Sequence, residues 1–147
     1  LVGSEMCIRD RLMGGLSGTA VMTCFLLIPR WMEWGKIDVI RAVGSLMTGR
    51  RERIFGSGLV VHLGMGILFA FLYAGFLNLS RLPFNTMTGL LLGSLHGVII
   101  MLLVSIMIME HHPVAGYHEK GLETGLAQLA AHMIYGATVG WVVSVMG

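Results

Sequence analysis

Four long stretches of the chain contain no Asp, Glu, Lys or Arg and consist mostly of aliphatic residues. They cover residues 12–29, 54–80, 82–109 and 124–147. Each is close to the ~20 residues that a helix needs to cross the hydrocarbon core of a bilayer. A helix on the surface of a soluble protein would carry polar residues along its outer face. Residues 59–77 instead offer only His62, Tyr73 and glycines as interruptions. The pattern predicts an all-α integral membrane four-helix bundle.

The boundaries of the predicted helices follow from the residues that flank these stretches. We predict membrane-spanning helices at about 12–28, 55–77, 87–109 and 122–145, the first of them stopping at Pro29. A short turn around Arg81 joins the second helix to the third and predicts that the two are antiparallel neighbours. Asp38 precedes apolar positions at helical spacing, which predicts an interfacial helix at about 38–48 lying on the membrane. Residues 1–11 resemble translated sequencing adapter and are interpreted as a non-native leader, separate from a single domain at 12–147.

Composition and charge support this architecture and add an orientation. The chain is 55% hydrophobic and 12% charged, with a mean hydropathy of +0.79. Its two cysteines do not predict a disulfide framework. Most basic residues fall in the first and third loops: Arg30, Lys36, Arg41, Arg50, Arg51, Arg53 and Lys120. The positive-inside rule therefore predicts a cell (inner) membrane protein with loops one and three cytoplasmic and both termini outside. The arginines at 50–53 are interpreted as topology determinants that also contact anionic headgroups, not as a nucleic-acid site.

Small residues recur at four-residue spacing and predict close helix packing. The candidate packing positions are Gly14, Gly18, Gly66, Gly89, Gly93, Gly97, Gly136 and Gly140. Helix association in lipid depends on such close backbone approach, because the hydrophobic effect does not drive it there. His62 precedes Gly66 by four residues, and His132 precedes Gly136 by the same interval. The chain therefore reads as two similar helical hairpins related by an axis along the membrane normal.

Polar side chains inside membrane spans are candidates for function, and three histidines qualify. His62 and His132 each lie nine residues from a flanking charge, or ~13 Å deep, whereas His96 lies fourteen residues from Glu110, or ~21 Å deep. By this estimate His62 and His132 lie at the same depth in the membrane. His96 lies too deep to bind the same metal ion or cofactor together with them. A His62–His132 pair would suit a transition metal or the axial ligation of a haem b. The simpler interpretation is that each histidine bonds a neighbouring helix through groups such as those of Thr19, Ser94 or Tyr135.

A second polar cluster lies in the predicted third loop. His111, His112 and His118 occur there with Glu110 and Glu119, in a segment that also contains proline and glycine. Imidazole and carboxylate ligands suit zinc, nickel or copper. The spacing matches no established metal motif, so a solvated polar loop is the competing interpretation.

Several short segments carry a resemblance to a known family. They are Ala20-Val21-Met22-Thr23, Lys36-Ile37-Asp38, His62-Leu63-Gly64-Met65-Gly66, Tyr73-Ala74, Gly89 with Gly93, and His132-Met133-Ile134-Tyr135-Gly136. Through them, residues 14–143 resemble a small, widespread prokaryotic membrane-protein family that carries only a domain-of-unknown-function label. The resemblance implies a four-helix fold and supplies no reaction, ligand or partner.

The sequence favours a non-enzymatic accessory or structural component of the membrane, acting as a homo-oligomer or within a larger complex. It contains no nucleotide-binding loop, nucleophile elbow or metalloprotease histidine pair. One alternative is a metal- or haem-binding protein that uses His62 and His132. Another is a small oligomeric transporter or channel whose path is lined by His96, Thr19 and Ser94. Absence of a cofactor, haem and a transition metal all stay open.

Overall fold

The computed structural model describes residues 8–31, 54–103 and 121–147, and the elements within these ranges are four helices. They are α1 (Ile8–Trp31), α2 (Ile54–Leu79), α3 (Thr86–Leu103) and α4 (Gly121–Met146). The predicted all-α bundle is confirmed. The predicted interfacial helix at 38–48 and the end of the predicted third helix, 104–109, lie outside the described residues.

The first helix is longer than predicted at both ends. It begins at Ile8, so residues 8–11, which the sequence analysis assigned to a leader, form its first turn. The Arg11 guanidinium lies 5.8 Å from the centre of the Phe71 ring on α2. The predicted stop at Pro29 is wrong, because α1 continues to Trp31. Pro29 has no amide to donate to the carbonyl four residues earlier, so the helix continues across one missing backbone hydrogen bond.

Three of the helices described here are long and apolar enough to cross a membrane. The qualifying segments are Gly58–Leu79, Thr86–Leu103 and Gly125–Met146. The first helix, predicted as a span, is not among the segments identified within the described residues. Large apolar side chains project outward from all four helices, among them Leu16, Val60, Leu72, Leu91, Leu95 and Trp141. This is the surface that a bilayer would cover.

The helices do not pack in the order in which the turns connect them. Close backbone contacts join α1 to α2, α1 to α4 and α3 to α4. The second and third helices, predicted to be antiparallel neighbours, share no extended backbone contact despite the short turn between them and meet through side chains. Bulky side chains fill the space instead, with the Phe69 and His96 rings stacked at a centroid distance of 3.8 Å. Glycines lie at the close interfaces, and aromatic rings lie at the wide one.

The turn after α2 is closed by two backbone hydrogen bonds. The Leu82 amide donates to the Leu77 carbonyl at 2.9 Å, and the Arg81 amide donates to the Asn78 carbonyl at 3.1 Å. This pair of bonds defines a Schellman motif, which needs a left-handed residue between helix and turn. Arg81 takes that place with a φ of 54°. The turn thus reverses the chain at a residue type that seldom adopts this conformation.

The start of α3 is capped reciprocally by two side chains. The Asn85 Oδ1 accepts hydrogen bonds from the amides of Met87 and Thr88, each at 3.0 Å, while the Asn85 amide donates to the Thr88 hydroxyl at 3.0 Å. These bonds satisfy amides at the start of the helix that have no partner within it. The cap fixes the point at which α3 begins, close to the end of α4, because Gly140 lies against the Asn85 carbonyl.

Glycines set the register between α3 and α4. A Cβ on Gly136 would lie 2.8 Å from the Gly93 Cα and would overlap the Gly89 carbonyl. One turn further along α3, a Cβ on Gly97 would lie 3.0 Å from the Leu129 carbonyl. All three α3 glycines are buried. The two backbones are therefore in direct contact, and the antiparallel register leaves no room for any other residue at these positions.

The same arrangement recurs between α1 and α2, as the predicted hairpin repeat would require. A Cβ on Gly15 would lie 2.9 Å from the Ile67 Cα and 3.0 Å from the Gly66 carbonyl. Gly66 and Gly136 thus each pack against a glycine of the preceding helix. Across the two hairpins, Gly14 and Gly18 of α1 contact Val139 of α4. All eight predicted packing glycines contact another helix of the same chain, or the turn that precedes α3, within 4 Å of an added Cβ.

Candidate functional site

A cavity of ≈200 Å³ lies between the four helices. Its polar lining consists of Thr19 from α1, His62 from α2, His96 from α3, and Gln128, His132 and Tyr135 from α4. The rest of the lining is apolar and includes Val61, Met65, Phe69 and Ile100. A concave, mostly apolar site with a few converging polar groups is typical of small-molecule binding.

The three histidines of the predicted spans line this one cavity. The rings of His96 and His132 are in edge-to-face contact with a centroid distance of 4.6 Å. The predicted separation of His96 from the other two by depth is therefore wrong. The depth estimate assumed that the charges flanking α3 and α4 lie at the same height in the membrane. The glycine contacts instead determine which residues of α3 and α4 lie opposite each other. They place His132 against the stretch of α3 between Gly93 and Gly97, and His96 lies within that stretch.

The hydrogen bond of His132 fixes its tautomer. Its Nδ1 lies 2.7 Å from the Gln128 carbonyl oxygen, one turn earlier on the same helix. Because a carbonyl only accepts, Nδ1 must carry the proton and Nε2 must present a lone pair. A histidine whose Nδ1 proton is held by a backbone carbonyl has its ring orientation fixed as well. His132 therefore contributes a hydrogen-bond acceptor to the site.

The tautomer of His96 follows from its contact with Tyr73. The Tyr73 hydroxyl lies 3.1 Å from the His96 Nδ1, and Tyr73 is 5% exposed. If the hydroxyl donates to Nδ1, its proton is satisfied and the histidine proton must lie on Nε2. The opposite direction would leave the hydroxyl proton without an acceptor among the described residues, and a buried unmade hydrogen bond is costly. His96 therefore contributes an N–H donor at Nε2.

Three buried nitrogens of the cavity residues have no hydrogen-bond partner among the described residues. They are Nε2 of His62, Nε2 of His96 and the side-chain amide nitrogen of Gln128. The Gln128 residue is 2% exposed. Buried polar groups in folded proteins are hydrogen-bonded with few exceptions, and each exception calls for an explanation such as a bound ligand or water. These three nitrogens make the cavity the strongest candidate site in the described part of the chain.

The hydroxyl groups suggested by the sequence as histidine partners are bonded elsewhere. Thr19 donates to the Gly15 carbonyl at 2.7 Å, Ser94 donates to the Leu90 carbonyl at 2.8 Å, and Tyr135 donates to the Gly66 carbonyl. None of these three hydroxyls is bonded to a histidine among the described residues, but His96 does bond a hydroxyl of another helix, that of Tyr73, as the simpler interpretation predicted for this type of contact. Ser94 does not line the cavity, which separates it from the His96 and Thr19 of the predicted transport path.

The metal and haem hypotheses rest on the pair His62 and His132 and on a histidine cluster in the predicted third loop. Within residues 8–31, 54–103 and 121–147, no group of three or more His, Cys, Asp or Glu side chains is arranged to hold a metal ion. His62 and His132 line the same cavity, whose volume lies below the ~300–1,000 Å³ of sites for drug-sized molecules. That volume suits a molecule of one or two rings. The other candidates, His111, His112 and His118, lie outside the described residues.

Two residues of the site were missed by the sequence analysis. Gln128 lies four residues before His132 and therefore on the same face of α4, and it is an uncharged polar residue within a predicted membrane span. That spacing was the available signal. Tyr73 had no such signal, because its partner His96 lies 23 positions away on another helix.

Comparison with known proteins identifies the family. A family model described as "Family of unknown function (DUF6789)" matches residues 8–147. The chain belongs to this family. The match includes all four helices, every residue that lines the cavity, and residues 8–11 at the start of α1. It confirms the resemblance to a family without an assigned function. No curated protein and no solved structure gives a match.

Proposed function

We propose that this member of the family is a non-enzymatic, multi-pass component of the cell (inner) membrane that holds a small lipid-soluble ligand between its two hairpins. The main support for this proposal is the cavity, in which buried nitrogens of His62, His96 and Gln128 have no hydrogen-bond partner among the described residues. The proposal keeps the non-enzymatic role favoured by the sequence. It adds His96 and Gln128 to the predicted pair His62 and His132, which gives a site of four side chains.

All four helices cross the membrane in this proposal, α1 included. Support comes from the contacts of α1, because Gly14 and Gly18 lie against Val139 on α4 and Gly15 lies against Ile67 on α2. Those positions fall within the segments of α2 and α4 that are long and apolar enough to span. A helix packed between two spanning helices at that level lies inside the bilayer, so its glycines and hydroxyls face protein instead of lipid.

The orientation predicted from the basic residues is tested at the turn between α2 and α3. In a chain with Cys7 and Cys24 replaced by serine, we expect Ser80→Cys to react with a membrane-impermeant maleimide added to intact cells, because Ser80 is exposed in the turn assigned to the outside. Lys36→Cys, in the first predicted loop, is the matched control and should react only after the membrane is broken. The reverse labelling pattern would contradict the proposed orientation.

Occupancy of the cavity is tested by filling it. We expect organic extraction of the purified protein to yield a small molecule that falls by about tenfold or more in Val61→Phe, since a ring inside the cavity removes the ligand's space. Val61 lines the cavity, whereas its neighbour Val60 is 70% exposed on the outer face of α2. Val60→Phe is therefore the matched control and should retain the molecule.

Mass spectrometry of the extracts measures the amount per protein, and circular dichroism checks that both variants keep their helix content. A ligand present in equal amounts in wild type, Val61→Phe and Val60→Phe would place binding elsewhere on the protein. No specific molecule in any of the three would remove the ligand-binding proposal.

A further inference from the structure

The chemistry of the cavity lining limits the class of ligand that it accepts. None of the residues that line it in the described ranges is Asp, Glu, Lys or Arg. A charged ligand would therefore lose its hydration without gaining a counter-ion, which is costly in an apolar environment. The ligand is neutral.

Two of the three nitrogens that have no partner among the described residues, those of His96 and Gln128, are N–H donors and call for hydrogen-bond acceptors on that neutral ligand. The His96 Nε2 carries a proton because Tyr73 donates to the Nδ1 of the same ring. The Gln128 amide nitrogen carries two protons and is buried without a partner among the described residues. Two N–H donors on different helices, α3 and α4, thus border one cavity. A ligand with two separated carbonyl oxygens would satisfy both.

The apolar lining indicates a flat ring between those oxygens. Phe69 and Tyr135 both contribute aromatic side chains to the cavity, and the His96 ring is already stacked on Phe69 at 3.8 Å. Aromatic walls favour flat partners through stacked or edge-to-face contacts. The ≈200 Å³ volume limits the bound part to one or two rings.

We propose that the cavity binds the head group of a quinone, with one carbonyl oxygen accepting from Gln128 and the other from His96. A membrane quinone is neutral, lipid-soluble and flat, and it carries two ring carbonyls, which are the properties that the lining selects. This inference rests on the proposed ligand-binding function and narrows it to one chemical class. It concerns binding alone and involves no electron transfer.

The test compares two probes of the same shape. Menadione (2-methyl-1,4-naphthoquinone) carries both carbonyls, and 2-methylnaphthalene carries neither. We expect calorimetric titration of the purified wild-type protein in detergent to give saturable binding of menadione, at least about tenfold tighter than binding of the hydrocarbon. Because this comparison uses the unaltered protein, it does not depend on the folding of any variant.

Three substitutions locate the binding groups. His96→Phe keeps a ring against Phe69 but removes the N–H, and Gln128→Leu removes the amide, so each should weaken menadione binding by about three- to tenfold. Neither substitution should weaken the binding of 2-methylnaphthalene. Ser94→Ala is the control, because Ser94 is bonded to the Leu90 carbonyl and does not line the cavity. It should leave both affinities unchanged.

The outcomes separate this inference from the broader proposal. Equal affinity for the two probes, or binding that His96→Phe and Gln128→Leu do not alter, would overturn the quinone class and leave a cavity for apolar molecules. If neither probe binds while solvent extraction yields another molecule, the quinone class is again wrong and ligand binding stands. If neither probe binds and extraction yields nothing, both proposals fail.

Discussion

Replacing Gly136 by alanine is expected to lower the free energy of unfolding of the bundle by about 3 kcal/mol. The added methyl group would overlap the Gly89 carbonyl and would lie 2.8 Å from the Gly93 Cα. Both neighbours are backbone atoms within a helix, so no side chain can rotate away to make room. Relief requires α3 and α4 to move apart, and that movement would open their contact along its whole length.

The cost is large because the glycine contacts are consecutive and reciprocal. Gly89 and Gly93 lie against Gly136, and Gly97 lies against Leu129 one turn further along. A shift that accommodates one methyl group therefore loosens every neighbouring contact. In lipid this loss has little compensation, because helix association there depends on close packing and interhelical hydrogen bonds.

Gly64→Ala is the matched control for Gly136→Ala. Gly64 lies on α2 within a segment long and apolar enough to span a membrane, and a Cβ at this position would meet nothing within 4 Å. Alanine is favoured over glycine inside a helix by about 0.8–1.0 kcal/mol, so this variant should be as stable as the wild type or slightly more stable. Unfolding followed by circular dichroism in mixed micelles of increasing denaturing-detergent fraction measures both changes. An equal change in stability for the two substitutions would show that the close contact at Gly136 does not determine the loss.

The existence and type of the helices were predictable because each is encoded within its own stretch of sequence. The long uncharged runs predict α2, α3 and α4 to within a few residues at the ends that the structure describes. The glycine spacing predicted which faces pack, since residues four apart lie on one side of a helix. Pro29 was a misleading signal for the end of α1. Whether a proline ends a helix depends on where in the helix it lies, and the sequence alone does not give the residue at which the helix ends.

The candidate site was only partly predictable because its geometry depends on contacts between helices. The depth of His96 was measured along α3 alone, whereas the contact of Gly93 and Gly97 with α4 decides which residue it meets. Tyr73 meets His96 only because α2 and α3 stand apart and leave room for both rings. Sequence spacing gives the face on which a residue lies. It does not give the register between two helices.

Replacing Gly66 by alanine is expected to destabilise the protein by about 2 kcal/mol, and Thr19→Ala should recover much of that loss. A Cβ on Gly66 would overlap the Thr19 hydroxyl oxygen and would lie 3.1 Å from the Thr19 Cβ. Thr19 cannot rotate freely, because it is 1% exposed and its hydroxyl donates to the Gly15 carbonyl at 2.7 Å. The conflict is therefore between one added methyl group and one side chain that alanine would remove.

A double-mutant cycle isolates this contact. Thr19→Ala alone should cost about 1 kcal/mol for the lost hydrogen bond and buried methyl group. The double variant should be more stable than the sum of the single effects implies, by about 1–2 kcal/mol, within the range observed for residues in direct contact. The same unfolding measurement in mixed micelles gives all four free energies. Strict additivity would contradict the contact between α1 and α2 at this level. Since Thr19 and Gly66 both line the cavity, that result would also remove α1 from the wall of the proposed ligand site.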